Sequence, residues 1–402
     1  MKNKYPVITL LGNNSGRNLG DGAILSSILE SISKKMPNAL FYAPAVYHNW
    51  MKKHYEPKYN LKAIDVMPWT GSIRLLGIPT IRCFLKSDVA LICDGIIFGK
   101  KLFNPAFNYL ITLFFLAPIA KLCKCKLVCF NCGIGPFPSK ISELMARYVI
   151  DSSDLIMFRE NDSKQLAREI GVKKDILITA DSAFINPVSS DSVAIEILKN
   201  DFGISKDTPL VGVNVTSYMD SWLKKDEKVE DKNEFLLMIA NAVKDTCETL
   251  KKKYNENIKP VIFSTQPMDE EVCNFVAENC DGIVINNSIY LSHDIQAIMR
   301  RCKILVGMRF HALILASAVR TPIIALVYAP KVRGYMRQLE TTDLSLELAK
   351  ITKDSLTKTL IYAYENASEI QKTQQEKIDI LRIEAEKATD ILKERYFSDK
   401  KN

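Results

Sequence analysis

Short apolar runs alternate with segments of helical length along most of this chain, and this alternation limits the possible folds more than any other feature of the sequence. Helices are predicted at about 21–35 and 110–122, and each lies between apolar runs that are typical of buried strands. The strands predicted in this first half are 7–11, 40–42, 89–93, 127–131 and 155–158. Because strands separated by helices form parallel sheets covered on both faces, the pattern predicts an α/β fold.

A second series of the same kind follows a polar stretch and begins with a strand predicted at 210–215. It continues with strands predicted at 261–263, 283–285, 302–306 and 323–328 and with helices at about 234–252 and 270–279. The chain has 402 residues, more than one hydrophobic core usually contains. We therefore predict two Rossmann-like domains, residues 1–195 and 205–345, that face a central cleft. The charged segment 350–398 has apolar residues at helical spacing, which predicts C-terminal helices packed across the domains.

The composition is that of a globular protein, with 47% hydrophobic and 25% charged residues, so extensive disorder is not expected. A formal net charge of +8 is compatible with nucleic acid, an anionic membrane surface or an acidic small substrate as partner. Because no dense basic tract interleaved with aromatic residues occurs, nucleic acid is not expected to be a partner.

Ten cysteines are scattered along the chain, and most of them are expected in apolar strands. They are expected to be small core residues of a reduced, cytoplasmic protein. The pair Cys123 and Cys125, followed by Cys129 and Cys132, has the spacing of neither a zinc ribbon nor an iron–sulfur cluster. We predict no metal and no cofactor.

The longest apolar run, 109–120, is too short to span a bilayer and contains Pro118. The N-terminus has no features of a secretory signal peptide, so a cytoplasmic location is expected. Lysines flank the apolar run, among them Lys101, Lys121 and Lys124. The run is predicted to be a buried helix, and the alternative is a peripheral contact with the inner face of the membrane.

Arg309, His311 and Lys331 belong to a single strand–helix–strand unit. The predicted strand before them ends at Gly307, and apolar residues at helical spacing follow His311. Arg309 and His311 are therefore expected at a helix N-terminus on the carboxyl edge of a parallel sheet, where anions bind favourably. The next strand brings Lys331 to the same edge, so the three basic side chains are predicted to converge on one anion. The alternative for His311 is a capping or packing role.

Small and polar residues fill two loops that follow strands of the first domain. In the loop at 13–22, Asn18 and Gly20 are candidate binding residues, because small residues let backbone amides approach a ligand. Asp21 is either the N-cap of the next helix or a group that faces the ligand. Gly133 and Gly135 are candidates because their loop also follows a predicted strand and points to the same cleft.

A further loop contains Arg159 at the end of a predicted strand and Ser163 at the start of a predicted helix. Both are candidate ligand-binding residues. The alternative for Arg159 is an ion pair with Glu160 or Asp162.

Taken in order, these segments resemble the polysaccharide pyruvyl transferase family over residues 10–340. The resemblance is carried by Asn18-Leu19-Gly20-Asp21, Gly133-Ile134-Gly135-Pro136, Arg159-Glu160 with Ser163, Asp181-Ser182-Ala183, Met308-Arg309-Phe310-His311-Ala312 and Tyr328-Ala329-Pro330-Lys331. Its most specific part is the Arg-x-His-Ala unit followed by Tyr-x-x-Lys. Two departures are that Asp94-Gly95-Ile96 replaces a glycine-rich turn and that Ser182 replaces a proline, so acceptor recognition is expected to differ.

The resemblance implies a GT-B-like fold and transfer of the enolpyruvyl group of phosphoenolpyruvate to a sugar, with formation of a pyruvate ketal. It implies a donor site made of Arg159, Arg309, His311 and Lys331. An arginine suits the planar carboxylate of phosphoenolpyruvate, and a lysine suits the phosphate. We predict that His311 is the general acid/base and that Asp21 activates an acceptor hydroxyl.

Two other functions remain open, because a fold alone does not fix an activity. One is a GT-B glycosyltransferase that uses a nucleotide sugar, and the other is a non-catalytic scaffold of a polysaccharide assembly complex. The expected partners are phosphoenolpyruvate as donor substrate and a sugar acceptor, either lipid-linked or polymeric.

Overall fold

The computed structural model describes residues 3–14, 17–66, 77–104, 108–217 and 231–400. Ser15 and Gly16, which belong to the loop predicted at 13–22, lie outside the described residues.

Two compact units make up the chain. The first contains Met1–Gly16, Asp21–Ile185 and Leu381–Asn402, and the second contains Arg17–Gly20 and Asn186–Ile380. The short segment Arg17–Gly20 thus belongs to the second unit although the chain on either side of it belongs to the first.

A parallel sheet of seven strands forms the centre of the first unit. The strands are β1 (Val7–Leu11), β2 (Leu40–Ala45), β3 (Leu61–Asp65), β4 (Val89–Ile92), β5 (Lys126–Cys132), β6 (Leu155–Phe158) and β7 (Leu177–Ile178). Their order in the sheet is β3-β2-β1-β4-β5-β6-β7. Every residue of β1 and of β4 is buried, as expected for strands of a parallel sheet that is covered on both faces.

Helices described in this unit are α1 (Leu19–Lys35), α2 (His48–His54), α3 (Ile78–Phe84), α4 (Leu110–Leu122), α5 (Lys140–Ser152) and α6 (Asn161–Glu169). The apolar sides of α4 and α5 pack on the sheet in one core cluster that includes Leu113, Leu116, Val149, Ile92 and Cys129. A capping box between Ser139 and Ser142 fixes the start of α5.

The second unit contains a parallel sheet of six strands. They are β8 (Leu210–Asn214), β9 (Lys259–Ser264), β10 (Ile283–Asn286), β11 (Cys302–Gly307), β12 (Ile323–Val327) and β13 (Ser345–Glu347), in the order β10-β9-β8-β11-β12-β13. Its helices are α7 (Asp191–Phe202), α8 (Lys232–Tyr254), α9 (Glu270–Asn279), α10 (Ser292–Arg300), α11 (Phe310–Ala318), α12 (Pro330–Gln338) and α13 (Lys353–Glu365). The last helix, α14 (Ala367–Tyr396), contributes residues to this unit up to Ile380 and to the first unit from Leu381.

In each sheet the strand that comes first in the chain, β1 or β8, has neighbours on both sides, and the strand order reverses there. In the first unit β1 is hydrogen-bonded to β2 on one side and to β4 on the other, and in the second unit β8 lies between β9 and β11. At such a switch point the loops after neighbouring strands diverge, and ligands of open α/β sheets bind at the carboxyl ends there. Most of the residues predicted to bind ligands follow strands at these edges.

The predicted α/β architecture of two parallel sheets is confirmed. The bounds of β1, β6, α4 and α9 agree with the prediction residue by residue. The edge strands β3, β7 and β13 were not predicted, because they are short and only partly buried.

Within the described residues, no helix is long and apolar enough to cross a membrane. All ten cysteines are free thiols, and nine of them are buried. The described part of the chain contains no group of three or more His, Cys, Asp or Glu side chains that could hold a metal ion.

Candidate functional site

Arg309 occupies the turn between β11 and α11, as predicted. Its backbone is extended at the N-cap position, and its backbone N–H donates to Oδ1 of Asn214 at 2.9 Å. Asn214 ends the neighbouring strand β8, and its Nδ2 donates to the carbonyl oxygen of Phe263 in β9 at 2.8 Å. One buried asparagine therefore ties the ends of three adjacent strands together and fixes the backbone of Arg309.

The guanidinium of Arg309 forms a two-point ion pair with Asp269. Nη2 donates to Oδ1 at 2.8 Å, and Nε donates to Oδ2. Asp269 is fully buried and also accepts hydrogen bonds from the backbone N–H and hydroxyl of Ser217, at 3.0 and 3.1 Å, and from the hydroxyl of Thr216 at 3.3 Å. The ion pair orients Arg309 with two of the five N–H donors of a guanidinium. Asp269 was not predicted, because it lies in the loop after β9, 40 residues before Arg309 in the chain.

His311 is the second residue of α11 and is half-buried. Its ring lies edge-on to Phe310, with ring centroids 5.4 Å apart. On another side it lies against Gly20, where an added Cβ would come within 2.2 Å of Nδ1. Gly20 therefore leaves the space that the imidazole occupies.

Backbone and side-chain hydrogen bonds hold the segment Arg17–Gly20 in this position. The N–H of Leu19 donates to the carbonyl oxygen of Thr265 at 2.9 Å, and Nδ2 of Asn287 donates to the carbonyl oxygen of Arg17 at 3.0 Å. Oδ1 of Asn18 accepts from the N–H of Gly20 at 2.9 Å. Asn18 thus caps α1, which was the role considered for Asp21, and the ligand-binding roles of Asn18 and Gly20 stay predictions.

Lys331 lies at the first turn of α12, exposed to solvent, with its Nζ 5.7 Å from the ring centroid of Phe310. Because β11 and β12 are parallel neighbours, Lys331 and Arg309 follow strands that end at the same edge of the sheet. The structure thus brings the predicted basic residues to one edge, with Phe310 between His311 and Lys331. Their joint binding of an anion stays a prediction.

Arg159 follows β6 in the first unit and is almost entirely buried. Its Nη1 donates to Oδ2 of Asp181 at 2.6 Å, and its Nε donates to Oε2 of Glu160 at 3.1 Å. Burial alone would lower the pKa of the guanidinium, but the carboxylates of Glu160 and Asp181 outweigh burial and raise it. The alternative of an ion pair with Glu160 is therefore present in the structure, and Asp181 is a partner that was not predicted.

Ser163 and Gly133 belong to the Arg159 network, and Gly135 packs against Leu166. Ser163 donates to Oε1 of Glu160 at 2.7 Å and accepts from the N–H of Ile134 at 3.0 Å. A Cβ on Gly133 would lie 2.7 Å from Nε of Arg159. Gly135 has a positive φ of 82°, and a Cβ there would lie 2.3 Å from Leu166. Local packing accounts for these glycines, and direct ligand contacts by Gly133, Gly135 and Ser163 stay predictions.

Asp21 lies in the first turn of α1, where the helix dipole favours a carboxylate. Its Oδ2 accepts a hydrogen bond from Nδ2 of Asn13 at 2.5 Å. Asn13 follows β1, so Asp21 is held at the carboxyl edge of the first sheet.

Comparison with known proteins identifies the fold and the family. No curated protein matches the chain. Among solved structures, the chain is similar to UDP-GlcNAc 2-epimerase from Neisseria meningitidis, with 14% identity and a TM-score of 0.59 over 97% of this chain and 98% of that one. It is also similar to a glycosyltransferase from Rickettsia africae, with 13% identity and a TM-score of 0.60 over 98% and 99% of the two chains. The UDP-GlcNAc 2-epimerase from Methanocaldococcus jannaschii has 13% identity and a TM-score of 0.60 over 97% and 99%.

At such low identities these likenesses show the fold alone, and they confirm the predicted GT-B-like fold of parallel-sheet α/β units. The family model described as polysaccharide pyruvyl transferase matches residues 18–330, which is most of the chain. The chain therefore belongs to the polysaccharide pyruvyl transferase family.

Proposed function

We propose that this transferase moves the enolpyruvyl group of phosphoenolpyruvate onto two hydroxyls of a sugar, in a polysaccharide or its lipid-linked precursor. The products are a pyruvate ketal and phosphate. Family membership supports pyruvylation of a polysaccharide in general. The observation that supports the donor is the position of Arg309, His311 and Lys331 at one edge of the second sheet.

The charges and geometry of this edge suit phosphoenolpyruvate. The donor carries a carboxylate and a phosphate, so its site needs at least two cationic contacts. Arg309 is held by Asp269, which gives it the fixed planar orientation that recognition of a carboxylate requires. Lys331 is exposed at the first turn of α12, where the N-terminus of the helix adds a favourable dipole for phosphate. Arg159 is a further proposed contact to the donor.

The reaction needs one group that donates a proton to phosphoenolpyruvate and one that accepts a proton from a sugar hydroxyl. A proton is added to the methylene carbon of phosphoenolpyruvate, two hydroxyl oxygens bond to its central carbon, and the bond from that carbon to the phosphate oxygen breaks. Of the two hydroxyl protons, the net reaction places one in the new methyl group and the other on the released hydrogen phosphate. We assign the first transfer to His311, which is half-buried beside the basic residues, and acceptance of a hydroxyl proton to Asp21.

The donor distinguishes this proposal from its alternatives. A GT-B glycosyltransferase binds a nucleotide sugar, whereas the proposed enzyme binds phosphoenolpyruvate. A non-catalytic scaffold of a polysaccharide assembly complex tolerates replacement of the half-buried His311 without loss of the pathway product.

The first test is the thermal stability of the protein with phosphoenolpyruvate, inorganic phosphate and UDP-sugars. Arg309→Ala is a poor probe, because it leaves the buried Asp269 carboxylate without its partner and destabilises the fold. Lys331→Ala removes an exposed cation instead, and Arg337→Ala removes an exposed cation from the far end of the same helix as a matched control. Stabilisation by phosphoenolpyruvate that is lost in Lys331→Ala and kept in Arg337→Ala supports the proposal, and stabilisation by a UDP-sugar alone contradicts it.

We also propose that the protein contacts the membrane through a surface formed by α4 and α5. Large apolar side chains on this α4–α5 surface are 42% to 81% exposed: Phe115, Leu122, Ile141, Leu144 and Tyr148. Phe114 joins the two helices, since its ring centroid lies 5.5 Å from that of Phe115 and 4.9 Å from that of Tyr148. Lys121, Lys124 and Lys140 are exposed beside these residues, which suits anionic lipid headgroups. Helix α4 was predicted to be buried, and it is buried on one side only. A lipid-linked acceptor would lie in the membrane that the exposed side is proposed to contact.

A further inference from the structure

Asp94 lies at the switch point of the first sheet and is not one of the residues proposed to bind the donor or to transfer protons. It follows β4, and Gly12 and Asn13 follow the neighbouring strand β1. The loops after these two strands therefore border the position where ligands of this class of sheet bind.

The backbone at Asp94 has a conformation that is uncommon for residues other than glycine. Its φ is +64°, a left-handed conformation that glycine adopts without cost and other residues adopt rarely. Gly12 makes room for the carboxyl group, because a Cβ there would lie 2.9 Å from Oδ2 of Asp94. The fold thus accommodates a carboxyl group at a position where glycine would be unstrained.

Asn13 connects Asp94 to Asp21. The backbone N–H of Asn13 donates to Oδ2 of Asp94 at 3.1 Å, and its side-chain Nδ2 donates to Oδ2 of Asp21 at 2.5 Å. One residue therefore holds two carboxyl groups at the carboxyl edge of the sheet.

The second oxygen of Asp94 has no hydrogen-bond partner among the described residues. The residue is 5% exposed, and Oδ1 makes no hydrogen bond within the described part of the chain. Burial raises the pKa of this carboxyl well above its usual range, and the charges of Asp21 and Asp181 raise it further, while the hydrogen bond from Asn13 and the charge of Arg159 lower it. A buried polar atom without a partner costs free energy, so its retention calls for an explanation.

A sugar hydroxyl is the ligand that fits this oxygen. A hydroxyl both donates and accepts, so it satisfies a carboxyl group in either protonation state. A phosphate or carboxylate would instead face the negative charge of Asp21, the same charge that raises the pKa of Asp94. We propose that Asp94 and Asp21, joined by Asn13, bind hydroxyls of the acceptor sugar, with Asp94 positioning one hydroxyl through Oδ1. This inference rests on the proposed function and specifies its acceptor subsite.

The test compares two substitutions that remove an acidic side chain at a positive φ. Asp94→Gly removes the carboxyl and relaxes the backbone, so the variant is expected to fold. Asp281→Gly is the matched control, because Asp281 also has a positive φ, of 55°, and its side chain is 75% exposed in the second unit. Binding of methyl glycosides of glucose, galactose and N-acetylmannosamine is measured by ligand-observed NMR over the millimolar range. The shift in melting temperature caused by phosphoenolpyruvate is measured on the same samples.

We expect at least one glycoside to bind the wild-type protein and the Asp281→Gly variant equally, and to bind Asp94→Gly about tenfold more weakly, as expected for one lost hydrogen bond to a carboxyl group. Asp94→Asn keeps the side-chain shape and is expected to bind with intermediate affinity. Equal binding by wild type and Asp94→Gly overturns the inference, and so does the absence of glycoside binding to the wild type. Failure of the proposed function gives a different result, namely no thermal shift with phosphoenolpyruvate while glycoside binding still depends on Asp94.

Discussion

The contact between Gly20 and His311 gives the sharpest prediction for catalysis. In Gly20→Ala the new Cβ would lie 2.2 Å from Nδ1 of His311 and 2.4 Å from its Cγ, whereas ordinary contacts are 3.4 Å or longer. The imidazole must therefore move by about 1 Å, a displacement that typically costs about 100-fold in rate when the group is catalytic. Crowding of this size costs about 1–3 kcal/mol of folding free energy. We therefore expect a folded protein with a large loss of kcat.

The assay is release of phosphate from phosphoenolpyruvate in the presence of an acceptor glycan, followed for the single variants and for the double variant. His311→Gln removes the imidazole and is expected to lower kcat about 100- to 10,000-fold. If Gly20→Ala acts only by displacing His311, it has no further effect in the His311→Gln background. A wild-type kcat in Gly20→Ala refutes the reasoning, and so do independent, multiplying effects of the two substitutions.

Three further predictions follow from other contacts. Asp269→Asn breaks the buried ion pair with Arg309 and should lower the free energy of unfolding by about 3–5 kcal/mol in urea titrations. Glu347→Gln breaks the exposed pair between Arg333 and Glu347 and should lower it by less than about 1 kcal/mol. Equal effects of the two changes would contradict the burial of the Arg309–Asp269 pair. Because the folded pKa of Asp94 is raised, the folded state keeps a proton that the unfolded chain loses above about pH 4, and stability falls as pH rises from there to the folded pKa. Asp94→Asn should therefore gain stability relative to wild type as the pH rises through this window, and a pH-independent difference would show that the carboxyl is not perturbed. Leu122→Glu, at an 81% exposed position, should abolish co-sedimentation with anionic vesicles, while Ile289→Glu, at a 69% exposed position in the second unit, should leave it unaltered. If neither change has an effect, the α4–α5 surface is not the membrane contact.

The sequence predicted the position of the site residues in the fold better than it predicted which side chains they contact. The placement of Arg309 followed from a short apolar strand, a turn and a helical pattern, and the parallel connection then placed Lys331 at the same edge. Asp269 was not predictable as the partner of Arg309, because the two lie 40 residues apart and meet only through the order of the strands.

The same limit applies to the small residues. Gly20, Gly133 and Gly135 were predicted to bind a ligand, and the structure shows each of them against a side chain of the protein itself. A missing Cβ indicates close approach, but sequence alone does not show what approaches. In the sequence Asp94 stood out only as a departure from a glycine-rich turn. That its Oδ1 has no hydrogen-bond partner within the described residues became apparent only in the folded chain.

The most direct test of the central claim is detection of the product. The wild-type protein and His311→Gln are incubated with phosphoenolpyruvate and sugar acceptors, and the methyl signal of a pyruvate ketal is followed by NMR together with phosphate release. The account predicts equal amounts of ketal and phosphate from the wild type and little of either from His311→Gln. Transfer of a glycosyl group from a nucleotide sugar, with no ketal from phosphoenolpyruvate, would contradict it.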